Sequence, residues 1–184
     1  MKTRRSTLLI LLVSTIMNAQ TLINFKANPT TENWYVVDDV VMGGRSSGKF
    51  SLTKDGYGEF SGTISLENNG GFSSVRCTLP SISVHEESVL KIRLKGDGSP
   101  YQFRVKDMRK RNYSYTIPFE TTGDWQVLEF RLSELYPVFR GRRLDLPNFD
   151  HTTLEELTFL IGNKKAQEFR LVLDTIALLP GNPK

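Results

Sequence analysis

Two adjacent carboxylates, Asp38 and Asp39, interrupt the apolar run Trp34-Tyr35-Val36-Val37-Asp38-Asp39-Val40-Val41, and Gly43-Gly44-Arg45-Ser46-Ser47-Gly48 follows almost at once. Carboxylates beside a glycine turn can do one of two things. They can hold a hard cation such as calcium together with loop carbonyls, or they can accept backbone N–H groups and tie the turn down. The flanking valines read as a strand that runs through the pair. A strand alternates its faces, so one of the two carboxylates must face inward or lie along a sheet edge. Burying it unpaired is costly, which makes Arg45 and Arg76 the candidate counter-charges.

Other reactive groups are sparse. His85 and His151 stand far apart with no cysteine or second histidine near either, and both read as surface loop residues. Metal-protease, dithiol, nucleophile-elbow and phosphate-loop patterns are absent from the chain. Asp38, Asp39, Glu59 and Asp174 are the carboxylates from which a glycosidase pair would be drawn, but no spacing unites them, so enzyme is the weakest class. Cys77 is the only cysteine and reads as a small buried hydrophobe. Tyr101, Tyr113, Tyr115 and Trp125 are candidate platforms for stacking a sugar, with Arg104 and Asp97 as polar partners. Their alternation in register with other buried positions favours core packing for each.

The first nineteen of the 184 residues have the layout of a secretory signal peptide: basic Lys2, Arg4 and Arg5, an apolar run from Leu8 to Met17, and cleavage after Ala19. The apolar run is too short to span a bilayer, so the expectation is an exported protein, periplasmic or secreted, with no membrane span in its mature chain. The 24 basic residues drop to 21 without the leader, against 20 acidic ones, a net charge of +1. That balance supplies no drive toward nucleic acid or anionic lipid. The local basic run Lys106 to Arg111 reads as a solvated hairpin loop.

What must position these groups is a set of short strands. Phe60-Gly62-Ile64, Leu90-Ile92-Leu94, Tyr101-Phe103-Val105, Tyr113-Tyr115-Ile117, Leu128-Phe130-Leu132, Leu157-Phe159-Ile161 and Phe169-Leu171-Leu173 each alternate with polar neighbours. They recur at intervals near ten residues with turn signals between them. That pattern predicts one all-β domain over 20–184, a sandwich or barrel. Ser133-Glu134-Leu135 and Thr153 to Leu157 are each expected to make about one helical turn.

Asp38 to Gly48 (D-D-V-V-M-G-G-R-S-S-G) and Asn69 to Arg76 (N-G-G-F-S-S-V-R) resemble the paired signatures of the complex I intermediate-associated protein 30 family. Leu94 to Gly98, Ser114 to Phe119, Trp125 and the closing segment Phe169 to Leu178 follow in that family's order. The resemblance covers essentially the whole mature chain. It implies a galactose-binding-domain-like jelly-roll β-sandwich and a non-catalytic chaperone that aids assembly of respiratory complex I. The expected partner is then a protein client, one belonging to a membrane respiratory complex. The alternative is a carbohydrate-binding module at the cell envelope. The candidate binding residues are Asp38, Asp39, Gly43, Gly44, Arg45, Ser46, Asn69, Gly70, Gly71 and Arg76, with Arg104 and Trp125 from the carbohydrate reading. No cofactor is expected beyond a structural calcium at Asp38-Asp39 or near Asp174.

Overall fold

The computed structural model describes residues 19–181, so the leader predicted over residues 1–19 lies, but for Ala19, outside the described residues. Thirteen strands follow in order: β1 (Gln20–Asn24), β2 (Trp34–Asp38), β3 (Ser47–Leu52), β4 (Gly58–Ile64), β5 (Ser73–Ser83), β6 (Val89–Lys95) and β7 (Pro100–Lys106). The second half supplies β8 (Ser114–Glu120), β9 (Trp125–Arg131), β10 (Tyr136–Phe139), β11 (Arg142–Arg143), β12 (Thr153–Ile161) and β13 (Gln167–Leu179). Among the described residues no helix is long and apolar enough to cross a membrane.

The strands form two antiparallel sheets. One has the order β3-β4-β13-β6-β9, with β1 also pairing to β13. The other has seven strands in the order β11-β10-β8-β7-β12-β5-β2. This is a sandwich, one of the two architectures that the alternation predicted, and of the jelly-roll type that the family resemblance implied. Each strand turns its apolar set inward because the period of two puts every second side chain on one face. Phe103 meets Phe130 of the opposing sheet at 5.1 Å and Phe159 of its neighbour β12 at 5.3 Å, while Phe60 and Phe169 pair at 4.7 Å. Phe60, Phe103 and Phe159 are fully buried. Burial of each is worth about 1.5–3 kcal/mol, so one Phe→Ala change in this layer would threaten the fold.

Two local expectations change. The strand carrying the carboxylates stops at Asp38, and Asp39–Met42 forms a 3-10 turn closed by Gly43 at φ 90°. Val40 and Val41, expected inside, are 60% and 73% exposed, and Met42 is 61% exposed. The turn wins because it carries Asp39 into a nest of hydrogen-bond donors, described below. The helical turn expected at Thr153 to Leu157 is instead the start of β12, which is central in the seven-stranded sheet between β5 and β7. Paired on both edges, that segment satisfies its backbone in ladders, and a register shift between Leu154 and Glu156 absorbs the irregular start. The other expected turn is present as a 3-10 helix over Leu132–Glu134.

Candidate ligand-binding groove

Asp39 is fully buried, and among the described residues no cation pairs with it. Its Oδ1 accepts the Ser46 N–H at 2.9 Å; its Oδ2 accepts the Ser46 hydroxyl and the N–H groups of Gly71 (2.6 Å) and Phe72 (3.2 Å). Burial alone would raise its pKa, yet the Ser46 hydroxyl and these N–H groups together hold it below the ordinary carboxylate value. Asp38 accepts the Gly48 N–H at 3.0 Å and the Ser73 hydroxyl. The carboxylate pair therefore stitches the first glycine motif to the second. Arg45, expected as a counter-charge, is exposed and pairs with Glu67 at 3.2 Å. Arg76, the other expected partner, lies instead near Glu156, at 3.9 Å.

This donor set does not fit calcium, because N–H and O–H groups already direct their positive ends at the carboxylate oxygens. Asp174 is taken by Arg93 in an ion pair. Among the described residues no group of three His, Cys, Asp or Glu could hold a metal ion.

The loop that Asp39 pins forms one wall of a groove of about 560 Å³ on the outer face of the seven-stranded sheet. Asn69, Gly70 and Gly71 supply that wall; Arg76, Gln102, Arg104 and Lys106 project from β5 and β7; Arg140, Gly141 and Lys164 stand on the loops around it. A second depression of about 320 Å³ shares Gln102, Arg104, Val138 and Gly141 with it, so the channel continues toward Tyr136 and Arg143. Of the predicted site residues, Asn69, Gly70, Gly71, Arg76 and Arg104 therefore come together. Asp38, Asp39, Gly44 and Ser46 stand behind the wall and shape it, Gly43 caps the 3-10 turn, and Arg45 is outside.

The groove is electrostatically one-sided. Arg104 gives Nε and Nη2 to the amide oxygen of Gln102, at 3.2 and 2.6 Å. Desolvation, and then the like charge of Arg76, push its pKa down to about 10. Lys106 is also lowered, by burial first, with Glu156 opposing and Arg76 assisting. Glu156 is buried and is shared among the Tyr35 hydroxyl (2.9 Å), Arg76 (3.9 Å) and Lys106 (4.0 Å). Lys106 was expected in a solvated loop; its side chain is in fact only 12% exposed.

The aromatic candidates divide. Tyr113 lines the groove. Tyr101 and Tyr115 are core residues, 1% and 2% exposed, with Asp97 capping the Tyr101 hydroxyl at 3.1 Å. Trp125 belongs to the other sheet, where Arg93 stacks on it at 4.2 Å and Tyr57 packs at 4.8 Å. His151 is not a loose surface residue, since its Nε2 meets the Tyr115 hydroxyl at 2.7 Å and Asp107 lies 3.8 Å away. Gln102, Lys106, Glu156, Arg140 and Lys164 were missed. The polar half of the β7 alternation marked the first two as outward-facing, but no local pattern says that this outward face is a groove.

The profile of the Complex I intermediate-associated protein 30 (CIA30) family matches residues 23–173. The chain belongs to that family. No curated protein matches this CIA30-family chain. Among solved structures it is similar to the family 11 carbohydrate-binding module from Clostridium thermocellum, in complex with a β-1,3-1,4-mixed-linked tetrasaccharide. The TM-score is 0.65 and the identity 18%, covering 91% of this chain and 98% of that one. The family 30 module of a cellulosomal cellulase of Clostridium thermocellum aligns with a TM-score of 0.57 and 14% identity, over 90% and 99%. An exo-β-agarase aligns with 0.55 and 12%, over 90% of this chain and 26% of its own. At these identities the likeness is one of fold.

Proposed function

We propose that this CIA30-family protein is a non-catalytic binding module whose ligand is a glycan chain lying along the groove of the seven-stranded sheet. The continuous channel carries the proposal. Its floor presents Gln102, Arg104 and Lys106 from alternate positions of one strand, a ladder of donors and one amide, with the Tyr113 ring at its side. Hydroxyl-rich chains are bound in this way, by a row of fixed polar groups that supply orientation and by a ring that supplies contact area. The fold shared with carbohydrate-binding modules supports this reading. Calorimetric titration with a panel of glucan, galactan and uronate oligosaccharides tests it. Tyr113→Ala should weaken binding to the best ligand while Trp125→Ala leaves it unchanged; the reverse result would move the site to the other sheet.

A protein client is the second reading, motivated by the family description and by Val40 and Val41, which stand exposed on the 3-10 turn whose Met42 lines the groove. Cross-linking in the native host would then capture a partner that Val40→Ser/Val41→Ser loses. We place the protein outside the cytoplasm under either reading, on the strength of its first nineteen residues. Intact mass of the purified native chain tests this, and retention of the leader would count against it.

A further inference from the structure

We infer, building on the reading of the groove as a glycan site, that the ligand is acidic: a polysaccharide whose sugars carry carboxylate or sulfate groups, engaged by Arg76 and Arg104. Five residues that line the groove are cationic (Arg76, Arg104, Lys106, Arg140 and Lys164) and none is acidic. The whole chain departs only slightly from charge balance, so this concentration is local. Among the described residues Glu156, beneath Arg76 and Lys106, is the carboxylate within ion-pair distance of these cations, and it is already shared between them; Asp107 acts on Lys106 from farther away.

Among the described residues Arg104 has no ionic partner, and Arg76 shares its carboxylate, Glu156, with Lys106. No carboxylate among them reaches Arg104 within ion-pair distance, and its Nε and Nη2 are bonded to a neutral amide. The Nε of Arg76 is buried with no hydrogen-bond partner, one of two such side-chain atoms among the described residues. A desolvated guanidinium with no carboxylate partner, as at Arg104, is unfavourable, and a carboxylate or sulfate in the groove supplies an acceptor of opposite charge. A neutral sugar hydroxyl matches the donors singly and leaves the charge uncompensated.

The rim gives an independent observation. Among the described residues, four besides glycine have positive φ, and three of them line the groove: Asn69 at 58°, Arg140 at 49° and Lys164 at 59°. Asparagine tolerates this conformation, whereas arginine and lysine are strained in it and glycine would not be. The fold thus places long cations at two turns where an uncharged glycine would be the relaxed choice, and both face the same channel.

The test is a titration of the full chain, without its leader, with oligosaccharides of matched length: a neutral β-glucan, an oligouronate and a sulfated galactan, with inorganic sulfate alone as the fourth ligand. One or both acidic oligomers should bind roughly tenfold tighter than the neutral one, and the difference should shrink with added salt. Which of the two binds separates carboxylate from sulfate. Arg104→Gln should remove that preference, and Arg140→Gln/Lys164→Gln, on the exposed rim, should reduce it even if the Arg104 variant does not fold. Neutral binding as tight as acidic binding would overturn the inference and leave the glycan groove standing. Binding of no oligosaccharide would overturn both. Inorganic sulfate binding as tightly as the sulfated oligomer would reduce the site to an ion site and also overturn it.

Discussion

A β-carbon on Gly70 would stand 2.6 Å from Oδ2 of Asp39, so the side chain of one motif occupies the space that the glycine of the other leaves open. Gly44 stands in the same relation to Oδ1, at 2.3 Å. Neither glycine has positive φ, so the requirement here is space alone. Gly70→Ala and Gly44→Ala should each destabilise the fold by about 1–3 kcal/mol through overpacking. Urea unfolding measures this, and wild-type midpoints for both would mean that Asp39 can move aside.

Asp39→Ala should cost on the order of 3 kcal/mol, because it leaves several buried donors without an acceptor. Asp39→Asn keeps the shape but presents an N–H2 to at least one donor, so it too should destabilise. A variant with wild-type stability would show that the two glycine motifs hold together without the carboxylate.

The acid limb of stability follows from the same residue. The folded-state pKa of Asp39 lies below its ordinary 3.8, so its contribution is complete above that value and is lost as pH falls through the folded one. Asp107 has the same sign: burial opposes its charge, but Arg111, bonded to it through two nitrogens, outweighs that. Below about pH 4, melting temperature should fall less steeply for Asp39→Asn than for the wild type, and less steeply again when Asp107→Asn is added. Parallel slopes in all three proteins would contradict this.

Glu156 opposes the lowering of the Lys106 pKa. Glu156→Gln should therefore lower that pKa further, leaving only the weaker pull of Asp107 against burial and Arg76. Isotope-labelled dimethylation of the lysines and an NMR pH titration would report the shift directly, and an unchanged or higher value would show that the two do not interact.

Cys77 is buried, and its thiol is pushed up to about 12, by desolvation first and by Glu156 second. Native protein at mild alkaline pH should react with a disulfide reagent roughly a thousandfold more slowly than urea-unfolded protein. Equal rates would require a more open seam between β2 and β5 than the structure has.

How much of this could be read from the chain depends on whether the signal was local. Alternation with period two fixes which side chains share a face, so the all-β domain, the buried Cys77 and the central strands were legible residue by residue. The two glycine motifs were legible as well, because turn chemistry is written in adjacent residues. Their joint role was not. Whether Asp39 meets a cation or four donors depends on where the Gly71 loop arrives, and that is set by the pairing of β2 with β5. Periodicity likewise put Arg104 on an outward face and Trp125 in register with core positions, without saying which sheet each would join. Arg76, Arg104, Lys106 and Glu156 meet only because β5, β12 and β7 are neighbours. Strand order is a long-range property of the core. The sequence on its own therefore determined an all-β domain of alternating strands and its glycine turns, and only the tertiary structure decided that one outward face would be a cationic groove.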